Sequence, residues 1–192
     1  MMIKRSLPIV AAGLAAILAV VFLVWAVNRH EAQQADSLEA EAYTLIEADI
    51  WLRLENIEAL LTQADTQSRA RLYDAEKETL SQTVAAIDEV VPMIEAARGK
   101  LDEVAGMRVS EIRRQYLEAR SRGLTAVLEM ERIRREVAVT LHDDPAFARP
   151  ETTGRIQELE RQWGQQHSLW QAAEQEAARL AGQSQPATGP QA

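Results

Sequence analysis

The stretch Ile156–Leu180, IQELERQWGQQHSLWQAAEQEAARL, decides the fold class. Its apolar and small residues recur alternately three and four positions apart, which places them on one face of an α-helix. A repeat of this kind predicts a helix that packs along a seam against other helices. The seam positions are Ile156, Leu159, Trp163, Gln166, Trp170, Ala173, Ala177 and Leu180.

Three earlier segments carry the same repeat, each in a different phase. In the second it runs through Tyr73, Leu80, Thr83, Ile87, Val90, Ile94, Ala97, Leu101 and Val104, and in the third it includes Met130. A straight helix cannot change phase without turning its apolar face away from its partner, so each change predicts a turn. We place turns at residues 65–68 and near Gly106, and a loop at residues 142–154, HDDPAFARPETTG. The predicted helices are about 31–64, 69–104, 107–141 and 153–181.

Four helical segments of matched length joined by short connections favour one architecture. It is an all-α, antiparallel, up-down-up-down four-helix bundle with coiled-coil-like packing over residues 28–182. In the first helix, Arg53 interrupts a repeat that includes Ile46, Ile50 and Ile57, and Leu52 widens the apolar face. Residues 183–192, QSQPATGPQA, have the composition of a disordered tail.

The stretch Leu7–Val27, LPIVAAGLAAILAVVFLVWAV, has no charged side chain and is long enough to cross the roughly 30 Å apolar core of a bilayer as a helix. Lys4 and Arg5 precede it, which favours a cytoplasmic N-terminus at residues 1–6. A cleaved signal peptide is the alternative, although its apolar core is usually only about 7–15 residues long. We therefore predict an uncleaved anchor followed by an extracytoplasmic domain.

Composition narrows the classes of function. The formal net charge is −8, and Lys4 and Arg5 lie before the apolar stretch, so the remaining chain is more acidic still. That balance argues against nucleic acid as a partner. Cys is absent, which excludes disulfides and thiolate metal sites.

No catalytic, cofactor-binding or metal-binding residues are predicted. The three His residues, His30, His142 and His167, form no HExxH or Glu-x-x-His pattern. The run His142-Asp143-Asp144 resembles a weak hard-cation site, and capping of a helix end is the simpler interpretation. No Ser/His/Asp arrangement and no glycine-rich phosphate loop occurs, so we expect a protein that is not an enzyme.

Two groups of side chains can each be interpreted in two ways. Trp163 and Trp170 occupy the helical seam, so core packing is the simpler interpretation, and a stripe that holds a ligand or a partner helix is the alternative. The second group is basic and lies on the third helix: Arg113, Arg114, Arg120 and Arg122. It can grip a carboxylate ligand, or it can form a solvated face paired with acidic neighbours, which we favour.

An N-terminal anchor at Leu7–Val27 followed by four long helices resembles the four-helix periplasmic domains of bacterial chemoreceptors and related sensors. The resemblance is architectural and implies a sensory or ligand-binding bundle. Residues 28–192 depart from that family, because they contain no second apolar stretch, no HAMP-type linker and no signalling region.

The sequence leads to one functional hypothesis and one alternative. The first is a single-pass protein of the bacterial inner membrane, with a periplasmic bundle that acts as a non-enzymatic accessory or scaffold subunit of an envelope complex. Its expected partners are the bilayer, through residues 7–27, and other membrane or periplasmic proteins or a second copy of the chain. The alternative is a periplasmic sensory bundle that binds a ligand and signals through a partner protein.

Overall fold

The computed structural model describes the backbone of residues 7–146 and 148–184, and the side chains in those ranges except at residues 7–20, 23 and 184. The described part is 93% helix and contains no strand, which confirms the predicted all-α class. The elements are α1 (Leu7–Thr44), a π-helical segment (Leu45–Ile50), α2 (Trp51–Arg69), α3 (Tyr73–Gly106), α4 (Glu111–Asp143) and α5 (Pro150–Ser184).

The helix α1, the π-helical segment and α2 follow one another without a turn, and we call them together the first rod. Ion pairs between consecutive helices join residues in opposite chain order, so each helix runs antiparallel to the one before it. The pairs are Glu41–Lys100 and Arg53–Glu89 between the first rod and α3, Glu95–Arg132 and Asp88–Arg135 between α3 and α4, and Arg120–Glu174 and Glu136–Arg155 between α4 and α5.

The core lies between the first rod, α3 and α4. On α3, the predicted seam residues from Leu80 onward are all buried, which confirms the repeat in this helix. Burial of one large aliphatic side chain contributes roughly 1.5–3 kcal/mol, so the seam is a major source of stability. The buried residues of this face are Leu80, Thr83, Ile87, Val90, Ile94, Ala97, Leu101 and Val104.

The π-helical segment explains the interrupted repeat of the first rod. The buried residues Ala42, Ile46, Ile50 and Leu54 recur every four positions, a wider period than the 3.6 residues of an α-helix. A π-helical segment accommodates the extra residue. Leu54 therefore occupies the core beside the interrupting Arg53, and the prediction that Leu52 widens the apolar face was wrong, because this side chain is 66% exposed.

The turn between α2 and α3 lies later than the sequence pattern predicted. Residues 65–68 are helical, and Thr66 donates its hydroxyl back to the carbonyl oxygen of Thr62 instead of capping a new helix. Beyond them, the N–H of Leu72 donates to the Gln67 carbonyl and the N–H of Arg71 donates to that of Ser68, both at 2.9 Å. This pair of bonds is a Schellman motif, and it places Arg71 in the left-handed region with φ 58°.

The other two connections also differ in their bounds from the predicted ones. Helix α4 begins at Glu111 instead of 107, because Ser110 caps it by accepting the N–H of Arg113 at 3.3 Å. Helix α5 begins at Pro150 instead of 153, since a proline in the first helical turn sacrifices no helical hydrogen bond. At its other end, α5 passes through the predicted stop at Gly182, because one glycine lowers helix propensity without ending a helix.

Within the described residues, no helix is long and apolar enough to cross a membrane. The predicted anchor at Leu7–Val27 falls largely on residues 7–20 and 23, whose side chains lie outside the described part, and it stays a prediction. Residues 1–6 and most of the predicted tail, 185–192, also lie outside it.

The strained turn residue gives a stability prediction. Replacement of Arg71 by Gly should raise the free energy of unfolding by up to about 1 kcal/mol, because a left-handed conformation costs a non-glycine residue roughly 1–2 kcal/mol and glycine loses more chain entropy on folding. Arg71→Ala is the matched control, since it removes the side chain and keeps the strain. Urea unfolding that shows equal stability for the two variants would contradict this account.

Candidate functional site

The fourth seam of the bundle, between the first rod and α5, is open. In the described part of the chain, the backbone of the first rod packs closely on α3, and the backbone of α5 packs closely on α4. The backbones of the first rod and α5 do not pack closely on each other. Three cavities of about 610, 370 and 270 Å³ follow this seam, with α4 as their floor. In the described part of the chain, this open seam is a long concave surface lined from three helices.

The middle cavity, of about 370 Å³, is lined by aromatic side chains from both walls. The ring centroids of Trp51 on α2 and Trp170 on α5 lie 6.4 Å apart across the seam. On α5, the His167 ring lies 5.4 Å from that of Trp170 and stacks on that of Trp163 at 5.0 Å. We call this cavity, with Glu131 and Arg134 of its floor, the tryptophan cleft.

The floor of the tryptophan cleft holds a buried carboxyl group. Glu131 is only 1% exposed, and one of its oxygens accepts a hydrogen bond from Arg134 at 2.9 Å. Its other oxygen, Oε2, is buried and finds no hydrogen-bond partner among the described residues, and the same holds for the indole nitrogen of Trp163. Burial raises the pKa of Glu131, while the charge of Arg134 opposes that rise.

Arg134 ties the floor of the cleft to both walls. It donates to Glu131 within α4 and to Glu58 of α2 at 2.5 Å, and its guanidinium lies 5.5 Å from the centroid of the Trp163 ring on α5. Buried or half-buried ion pairs are costly unless their hydrogen bonds are satisfied, so the unpartnered Glu131 Oε2 is a feature that packing alone does not explain.

The four predicted Arg residues of the third helix all have acidic partners within the chain, as the paired-face interpretation expects. Arg114 pairs with Glu111 one turn away, and Arg122 pairs with Glu176. Arg120 donates to both carboxylate oxygens of Glu174, at 2.8 and 2.5 Å. At that point α4 and α5 approach closely, because a Cβ at Gly123 would lie 3.2 Å from Oε1 of the same Glu174.

Arg113 lines the cavity of about 610 Å³ at the α1 end of the seam. It donates to Glu39 at 2.9 and 2.5 Å and to Asp36 at 2.7 Å. The hydroxyl groups of Tyr43 and Tyr116 are hydrogen-bonded at 2.9 Å beside it. Because its donors already bind these carboxylates, a carboxylate ligand would have to displace them.

The predicted His residues are dispersed over the structure. His30 is exposed, His142 lies 3.3 Å from Asp143, and His167 lines the tryptophan cleft. Among the described residues, no group of three or more His, Cys, Asp or Glu side chains can hold a metal ion.

Asp144 is a cap, as the simpler interpretation of His142-Asp143-Asp144 expects. Its carboxylate accepts the N–H groups of Ala148 and Arg149, each at 3.0 Å, and the hydroxyl of Thr152 at 2.6 Å. These hydrogen bonds lower the pKa of Asp144 and fix the start of α5.

The α5 wall of the cleft could be identified from the sequence, whereas the α2 wall and the floor could not. Trp163, Trp170 and His167 stood out because they share one face of a regular repeat. Trp51 and Glu131 did not, since nothing in the sequence tells which seam of a bundle stays open. One signal was present: Glu131 directly follows the predicted core residue Met130.

No protein-family model matches the chain, and no curated protein or solved structure matches it. The functional argument therefore depends on the geometry of the seam.

The buried carboxyl group gives a pH-dependent prediction. With a raised pKa, folded Glu131 keeps a proton that the unfolded chain releases at about pH 4.3, so the stability of the wild type falls as the pH rises through the folded-state pKa. Glu131→Gln cannot ionise, and its melting temperature relative to the wild type should increase over this interval.

The control for this prediction is Glu129→Gln, which removes a more exposed carboxylate from the same helix. Its melting temperature should follow the wild type across the interval. A constant difference between Glu131→Gln and the wild type from about pH 4 to about pH 8 would refute the assignment of the pH dependence to Glu131.

Proposed function

We propose that this protein is a non-enzymatic accessory or scaffold subunit of a membrane or envelope complex. Leu7–Val27 would anchor it in a bacterial inner membrane, with the bundle on the periplasmic side. The observation that supports a docking role is the open seam, because a four-helix bundle ordinarily packs closely along all four of its seams. Along this seam the backbones stay apart, Trp51 and Trp170 meet across it, and it offers a partner three cavities.

The occupant that we propose for the seam is an amphipathic helix of a partner protein with basic residues beside its apolar face. Helices bind grooves of this kind by burying an apolar stripe. Arg113 and Arg134 of the floor are paired with Asp36 and Glu58 of the wall. Each wall carries a further exposed carboxylate that lines the seam, Glu55 on α2 and Glu160 on α5.

A second candidate function is a ligand-binding bundle that signals through a partner protein. The observation that favours it is the pair of buried polar atoms without partners in the tryptophan cleft, Glu131 Oε2 and the indole nitrogen of Trp163. Such atoms cost free energy unless a ligand or water satisfies them. The cleft volume also lies in the range of small-molecule sites.

The docking proposal is tested by site-specific photo-crosslinking in native membranes. A photoreactive residue at Glu160, on the α5 wall, should form an adduct, and the same residue at Glu103, exposed on α3 away from the seam, should not. The mass of the adduct distinguishes a second copy of the chain from another protein.

Charge reversal provides the control for the crosslink. The variant Glu55→Lys should lower the yield at Glu160, because a basic helix would then meet like charge on the α2 wall. Equal yields at Glu160 and Glu103, or a yield unaffected by the charge reversal, would contradict docking of a basic helix in the seam.

The anchor is tested by alkaline carbonate extraction of membranes. The wild type should stay in the pellet, and the double variant Ile17→Arg and Val20→Arg should be extracted, because each Arg at mid-span costs roughly 2.5–3.5 kcal/mol of insertion free energy. The matched control is Ile17→Leu with Val20→Leu. Extraction of the wild type would contradict the anchor, and the mass of the mature chain would then test signal-peptide cleavage.

A further inference from the structure

The aromatic rings of the tryptophan cleft surround one cavity from two sides. Trp51 approaches from α2, and Trp163, His167 and Trp170 approach from α5, with neighbouring ring centroids 5.0 to 6.4 Å apart. The face of an indole ring carries negative potential and attracts cations, most strongly where water is excluded. The indoles of Trp51 and Trp170, on opposite walls of one cavity, are therefore a surface suited to a positively charged group.

The charges around the cleft favour the same kind of ligand. Glu55 and Glu58 line it from α2 and Glu131 lines it from α4. Among the described lining residues, the basic ones are Arg134 and His167. Arg134 is shared between Glu58 and Glu131 and covers the Trp163 ring, so its charge lies at one end of the cleft. The rings of Trp51 and Trp170 stay available at the other end.

Glu131 supplies a buried carboxyl group in the cavity lining. It is 1% exposed, lines the cavity, and its Oε2 has no hydrogen-bond partner in the described part of the chain. A buried carboxylate oxygen is satisfied by an N–H donor or by an adjacent positive charge. A cation in the cleft would supply that charge without displacing Arg134 from the other oxygen.

We propose that the tryptophan cleft is a binding site for a small organic cation of the quaternary or tertiary ammonium class. The alkyl groups of such a cation would contact the rings of Trp51 and Trp170, and its charge would lie near Glu131. The cavity of about 370 Å³ holds a ligand of this size. This inference depends on the ligand-binding candidate function and names the chemical class of its ligand.

The experiment is a fluorescence titration of the full chain, in mild detergent, with choline. Trp25 lies on α1 outside the cleft, and the other three Trp residues all line it, so the titration uses a Trp25→Phe background. The matched ligand control is 3,3-dimethylbutan-1-ol, which replaces the charged nitrogen of choline with carbon and keeps the shape. We expect a saturable change with choline and binding at least about tenfold weaker for the neutral isostere.

Variants test the role of Glu131. At a pH above the folded-state pKa of Glu131, Glu131→Gln should weaken choline binding about tenfold, because it removes the buried negative charge. Glu129→Gln on the outer side of α4 should bind like the wild type. Trp170→Phe keeps a smaller aromatic face and should weaken binding only a few-fold. A circular dichroism melt of each variant separates loss of binding from loss of fold.

Each outcome decides a different claim. Equal binding of choline and its neutral isostere would overturn the cation inference and support a ligand-binding cleft of another class. Failure of both ligands to bind, or choline binding unchanged in Glu131→Gln, would overturn the proposed site. The crosslinking result on the seam is independent of these titrations, so the docking proposal stands or falls separately.

Discussion

The packing of α4 against two helices at once is the constraint on which the rest of the structure depends. Its side chains Leu117, Leu124 and Leu128 join the main core, while Ala119 packs with Ala177 of α5. In the described part of the chain, α4 is the element that holds α5 to the bundle, since α5 packs closely on no other helix. The open seam, its three cavities and the ion pairs along its floor all follow from that arrangement.

Regular segments could be predicted from the sequence because their cores follow helical periodicity. The seam of α3 from Leu80 to Val104 is the clearest case, since every predicted position is buried. The turn after α2 could not be predicted, because Arg71 takes a left-handed conformation that is usually signalled by Gly or Asn. The π-helical segment likewise has no residue signature. Arg53, three residues beyond it on the predicted apolar face of the first helix, was the only sign of a changed period.

Only the part of the candidate site that lies on a single helix could be predicted from the sequence. Trp163, His167 and Trp170 follow one face of α5, so their proximity is a property of local sequence. Trp51 and Glu131 meet them through tertiary packing, and a Glu in an Arg-rich helix has the pattern of a solvated face. The burial of Glu131 depends on which pair of neighbouring helices leaves its seam open. That pair is determined by packing along the whole bundle.

The π-helical segment has a mechanical consequence for the first rod. It lies between α1, which leads toward the proposed membrane end, and Trp51, which begins α2 in the wall of the cleft. One residue corresponds to about 100° of rotation in an α-helix, so a shift of the extra residue along the rod would turn one part of it relative to the other. The π-helical segment is thus the point in the first rod at which a one-residue change of register would rotate α1 relative to the Trp51 wall of the cleft.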